Sequence, residues 1–118
     1  MKSRSCKSKG RRLVMVLRKA VLAAFPHLHP DDIQPVPTSV GGIDLKLSPA
    51  ARKCWPWSTE CKNVEKLNIW AAIQQAEANA DGHAPAVVLS RNRMTQPWVA
   101  IPLDAMVNLL HELMVKQP

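Results

Sequence analysis

The sequence predicts an α/β fold in one domain, with a mixed sheet flanked by helices. Three observations carry this. Apolar residues recur with helical spacing in three segments, near residues 11–25, 64–80 and 104–114. Between them lie short alternating or β-branched runs of strand character. Clusters of Pro, Gly, Asp and Asn separate the two kinds of segment. The resulting order is helix, two or three strands, helix, two strands, helix, which is a layered α/β sandwich. At 118 residues the chain is long enough for one core and too short for two.

Residues 1–10 read as a flexible basic tail ending at Gly10, and 11–118 as the single folded domain. The first helix spans 11 to about 25, with Leu13, Val14, Val16, Leu17, Ala20, Val21, Ala24 and Phe25 as its apolar stripe and Pro26 as its stop. Residues 26–41 are a loop with a short extended piece near Ile33 to Val36, and Gly41-Gly42 makes a bend. Ile43, Leu45 and Leu47 alternate with Asp44 and Lys46 as a half-buried strand. Ser48-Pro49 starts a short helix, with Ser as cap and Pro at the first helical position. Trp57 to Lys62 alternates again, placing Ser58, Glu60 and Lys62 on one face and Trp57, Thr59 and Cys61 on the other. Asn63 is expected to cap a helix over 64–80, closed by Asp81-Gly82, with Trp70 in its core face. Pro85–Arg91 and Trp98–Leu103 form a hairpin, and Asp104 caps a last helix with Met106, Leu109, Leu110 and Leu113 on one side. Trp57 belongs to the core, while Trp55 suits either core packing or base stacking.

Charge is unevenly spread. Lys2, Arg4, Lys7, Lys9, Arg11 and Arg12 stand in a stretch without acids, and removing these six from the 16 Lys and Arg leaves ten against nine acids. A near-neutral body with a basic arm attracts polyanions, nucleic acid above all, and the plainer alternative is a solubilising tail. The candidate DNA-contacting residues are Lys9, Arg11, Arg12, Arg91 and Arg93, the last two in a turn that equally suits a solvated loop. The cysteines, Cys6, Cys54 and Cys61, are odd in number and lack CxxC spacing, which argues against a disulfide framework or a zinc site. They suit a reducing compartment, and the expected location is the cytoplasm. No run approaches the ~20 apolar residues of a membrane span, so no membrane partner is expected.

The residues fit for chemistry are Asp44, Glu60 and Lys62. Glu60 and Lys62 are two apart on a strand and so share a face, and Asp44 holds the polar face of the preceding strand. Two carboxylates with the Cys61 backbone carbonyl between them make a hard oxygen site suited to Mg²⁺. Lys62 can place a water and offset developing negative charge. The alternative is a solvated, charged strand face. Burial of such charge on a core strand is costly unless it is paired or bound to metal, which favours the site.

From Gly41-Gly42-Ile43-Asp44 to Ser58-Thr59-Glu60-Cys61-Lys62-Asn63, the chain resembles the PD-(D/E)XK nucleases. The strings GGIDLKLSPAARKCWPWSTECKN and LNIWAAIQQAEANA look most like small phage-encoded endonucleases related to Holliday-junction resolvases, and the resemblance covers about residues 9–112. It implies a restriction-endonuclease-like core, Mg²⁺ or Mn²⁺ dependence and DNA phosphodiester hydrolysis in a bacterial or phage-infected host. It assigns metal binding to Asp44 and Glu60, with water or phosphate positioning by Lys62. Gln75 holds the place of a supporting Gln, with Asn79 one turn on, and an exposed polar stripe is the alternative for both. A homodimer is compatible with cutting two strands. Ile43 stands where the motif has Pro, and residues 1–30 lack the acid that junction-resolving members often carry in the first helix. A non-catalytic basic DNA-binding protein is therefore the second expectation.

Overall fold

A computed structural model describes residues 2–36, 44–93 and 96–116, with side chains from residue 10 onward. The first helix, α1, runs Lys2–Ala24. It continues through Gly10, the boundary expected for a tail, and includes the basic run. Leu13, Val14, Leu17 and Val21 form its buried stripe. Arg18 on its flank donates through Nε to the Ile33 carbonyl and through Nη2 to the Pro30 carbonyl, both at 2.8 Å. That guanidinium ties the following loop to the helix.

After a 3-10 turn at Pro30–Asp32, β1 (Ile33–Pro35) pairs antiparallel with β2 (Leu45–Leu47), Ile33 opposite Leu47. The bend expected at Gly41-Gly42 lies outside the described residues. Ser48 caps α2 (Pro49–Cys54) by accepting from the Ala51 N–H at 3.1 Å, as the Ser-Pro pair predicts. Then β3 (Trp57–Asn63) runs parallel to β4 (Ala84–Ser90), with α3 (Ile69–Asn79) as the crossover, and β5 (Trp98–Ala100) returns antiparallel on β4. The mixed sheet has the order β3-β4-β5. The last helix, α4, is Leu103–Lys116.

The sheet separates two apolar clusters. On one side α1, β1, β2 and α2 pack Leu13, Leu17, Ile33, Leu45 and Ala51 against Cys61 and Val88. On the other, Ala72 and Ala76 of α3 lie on Val87. Small residues on α3 let it approach the sheet closely.

Several boundaries and burials depart from expectation. Asn63 does not cap α3. It ends β3 opposite Ser90, the Val64 N–H extends that ladder to the Ser90 carbonyl, and Asn68 is the cap, accepting from the Ala71 N–H. Trp70 is 73% exposed rather than in the core. The shift of the helix start explains this: Leu67, Ile69 and Ile73 pack on the core and turn Trp70 outward. The strand β5 stops at Ala100, before Pro102, which has no N–H for a ladder. Asp104 lies inside the first turn of α4, where its charge favours the helix N-terminus, and does not cap it. No helix among the described residues is long and apolar enough to cross a membrane.

Candidate active site

Asp44 sits where the β1–β2 ribbon meets the sheet. Its carbonyl accepts from the Val36 N–H at 2.9 Å, and its N–H donates to the Thr59 carbonyl at 3.1 Å. Its side chain reaches along β3, where Oδ2 accepts from the Cys61 N–H. Both backbone and side chain thus fix this carboxylate beside the strand that carries Glu60 and Lys62.

Glu60 is the most enclosed charged group among the described residues, 3% exposed. It pairs in register with Val87 and lies on the α3 side of the sheet. Oε1 accepts from Asn79 Nδ2 at 2.8 Å, and Oε2 is 4.0 Å from the half-buried Lys62 Nζ. Asn79 is the last residue of α3, and Ser58 Oγ donates to its carbonyl at 3.4 Å. The end of the helix is therefore tied to the strand beneath it.

Burial raises the affinity of both carboxyl groups for protons. For Asp44, desolvation outweighs the Cys61 hydrogen bond and the Lys62 charge, so its pKa is raised. For Glu60, desolvation is again the largest cause, opposed by the Asn79 hydrogen bond and reinforced by the Asp44 charge. The Cys61 thiol is buried and held protonated, chiefly by desolvation and then by the two neighbouring carboxylates. Its side chain is thus an inert part of the core cluster.

Among the described residues no three His, Cys, Asp or Glu side chains converge into a metal cage. Mg²⁺ needs none: it is usually held by one or two carboxylates, keeping water or phosphate oxygens for its remaining positions. Two desolvated carboxylates, the charge of Asp44 raising the pKa of Glu60, with one ammonium at ion-pair range of Glu60, fit a hard cation. Asp44 and Glu60 supply the charge, and the Cys61 backbone lies at the same place through its bond to Asp44.

The other expected residues are placed as follows. Gln75 is exposed one turn before Asn79, and Asn79 is the one bonded to Glu60. The signal for Asn79 was its four-residue spacing from Gln75; only the packing of the α3 end on Ser58 selects between them. Arg11 and Arg12 are exposed on α1, and Arg91 and Arg93 are exposed beyond β4. Arg93 has φ 68, and the Asn92 N–H donates to Glu65 Oε2 at 3.0 Å, which ties this turn to the segment that follows β3. The Lys9 side chain lies outside the described residues. Trp55 packs against the α1 core cluster, edge-to-face with Trp57, and donates to Thr59 Oγ1 at 2.9 Å, which identifies it as structural.

Comparison with protein-family models, curated proteins and solved structures gave no match to this chain.

Proposed function

We propose that the chain is a metal-dependent DNA endonuclease with a restriction-endonuclease-like core, acting on duplex or branched DNA. The observation that carries this reading is the enclosed trio Asp44, Glu60 and Lys62, brought together from two segments and backed by Asn79. Asp44 and Glu60 would hold Mg²⁺ or Mn²⁺, with the Cys61 carbonyl available as a further oxygen. When bound, the ion supplies Lewis-acid polarisation of the scissile phosphate.

The chain's own groups do the rest. Lys62 orients a water beside the phosphate and offsets charge developing on the phosphate oxygens. Its separation from Glu60 leaves it free to do so: a 4.0 Å ion pair is at the limit of direct contact. Hydrolysis joins the water oxygen to phosphorus, breaks one P–O ester bond and leaves a proton on the departing oxygen. Asn79 keeps the Glu60 carboxylate oriented throughout. The exposed Arg11, Arg12, Arg91 and Arg93 would contact the DNA backbone, which carries no base information.

The test is cleavage of linear duplex, single-stranded, flap and four-way-junction DNA with Mg²⁺, Mn²⁺ or EDTA. Metal-dependent cutting that disappears in Glu60→Ala is the expected result, and the preferred substrate decides between junction resolution and general cleavage. Full activity in Glu60→Ala would reject the site. A second reading, a non-catalytic DNA-binding protein, draws on one observation: the basic α1 offers no acid to complete a metal shell. It requires salt-sensitive binding, unaffected by EDTA, and no cutting of any substrate.

A further inference from the structure

The last helix leaves most of its apolar surface uncovered. In α4, Leu103, Met106, Leu110 and Leu113 follow a three-four-three spacing, which places them on one stripe of the helix. Val107 and Met114 widen it. All six are exposed, from 41% at Met106 to 80% at Leu103, and α4 has no buried residue. The least exposed residues of α4 are Ala105 and Leu109, and both are only half-buried. Asp104, Asn108 and Glu112, with Ala105 and Leu109, line an open cleft against Pro56, Trp57 and Pro85. Contacts between α4 and the other elements are accordingly sparse.

We infer that the outer stripe of α4 is the interface of a two-fold homodimer, with α4 packed against α4 of a second copy. Three arguments select a second copy. The three-four-three spacing is the pattern by which two helices interlock side chains along a common seam. No charged residue lies on the stripe, so a two-fold axis through it brings no like charges together. The area also suffices. At these exposures the six side chains present roughly 600 Å² per copy, at the top of the range for patches on monomers. Over two copies this comes to about 1,200 Å², the lower end of specific interfaces.

A membrane surface fits the same stripe poorly. Interfacial helices carry Lys and Arg on their polar face. The polar face of α4 carries Asp104 and Glu112, with Lys116 alone at the end.

The inference is independent of the nuclease reading, and its test needs no DNA. The mass of the full chain is measured by light scattering after size exclusion over a range of concentrations, beside Leu110→Glu and Val115→Glu. Val115 is also exposed but lies on the opposite side of α4 from Met106, so it controls for adding a charge to the helix. The expected result is twice the chain mass for wild type and Val115→Glu, and the single-chain mass for Leu110→Glu with unchanged far-ultraviolet circular dichroism. Should Leu110→Glu fail to fold, the wild type decides alone: a dimer predicts a Tm that rises with protein concentration. A wild type of single-chain mass with a concentration-independent Tm overturns the inference. So does a dimer that survives Leu110→Glu, or a monomer that instead binds anionic phospholipid vesicles through this stripe.

Discussion

Glu60 shows how a side chain can oppose the fold that contains it. Its carboxylate is enclosed, its pKa is raised mainly by desolvation, and the Asp44 charge raises it further. A carboxyl group whose pKa is higher folded than unfolded binds more protons in the folded state. Stability then falls as pH rises through the window from the unfolded value to the raised folded one. The same sign holds for Asp44. Metal-free protein is therefore expected to lose thermal stability from about pH 4 upward through this window. Glu60→Gln removes the desolvated charge and should raise the metal-free Tm at neutral pH by a few degrees, on the order of 1 kcal/mol. Activity should be lost in the same variant. Magnesium should stabilise the wild type at neutral pH and leave the Tm of Glu60→Gln unchanged, as calorimetry would show. A Glu60→Gln protein less stable than wild type at neutral pH would mean that the Lys62 and Asn79 contacts outweigh the burial.

Asn79 acts through Glu60, so its substitution separates positioning from folding. Asn79→Ala removes the 2.8 Å bond to Oε1 and should weaken the apparent Mg²⁺ affinity about 10- to 100-fold, the usual loss for a partner that orients a ligand. Asn79 also makes further contacts in the fold, so a Tm measurement must accompany the metal titration. A fall in Tm with unchanged metal affinity would make its role structural. The resemblance pointed to Gln75, with Asn79 one turn on the same helix face, whereas the bond to Glu60 is made by Asn79 and Gln75 is exposed. The distinction comes from how far along β3 the helix ends, which depends on the crossover from β3 through α3 to β4.

At the scale of elements, legibility followed how local the determining interaction is. The start of α2 was readable because Ser48 and Pro49 act within one turn. The stripe of α1 was readable in part: Leu13, Val14, Leu17 and Val21 recur at helical spacing and are buried, while Val16, Ala20 and Ala24, expected with them, are exposed. The start of α3 was misplaced because two asparagines, Asn63 and Asn68, offer the same capping chemistry. Sheet pairing settled it: Asn63 is held opposite Ser90 on a strand distant in sequence. Asn68→Ala is accordingly expected to cost about 1 kcal/mol in denaturant unfolding, as loss of an N-cap does. Asn68→Asp should retain most of the cap, since its carboxylate accepts the same N–H. If the two variants were equally destabilised, the Ala71 bond would not be what stabilises this end of α3. The charged site was legible in the same graded way. Glu60 and Lys62 follow from the two-residue period of a strand, while the convergence of Asp44 on them depends on bonds to a strand distant in sequence, from its N–H to the Thr59 carbonyl and from the Cys61 N–H to its carboxylate.

For the whole molecule the governing feature is where the positive charge lies. The formal net charge is +7, and the basic residues before residue 13 exceed the surplus of the rest of the chain. That run belongs to α1, a helix whose apolar stripe is buried against the body. Arg11 and Arg12 are therefore exposed on a scaffolded element rather than on a loose arm. Such a placement fixes what salt should do. If these two side chains contact phosphates, each releases condensed counterions on binding duplex DNA, with a contribution of about 0.9 to the slope of log K against log salt. Arg11→Ala/Arg12→Ala should reduce the magnitude of that slope by about 2 and weaken binding similarly for every sequence. Glu60→Gln is the suitable background in the presence of EDTA, since cutting is then absent and the charge of α1 is unchanged. Fluorescence anisotropy across a salt series reads the slope directly. An unaltered slope in the double variant would move the DNA path off this part of α1 and toward Arg91 and Arg93, which are exposed beyond the carboxyl end of β4. Their own substitution would then carry the loss.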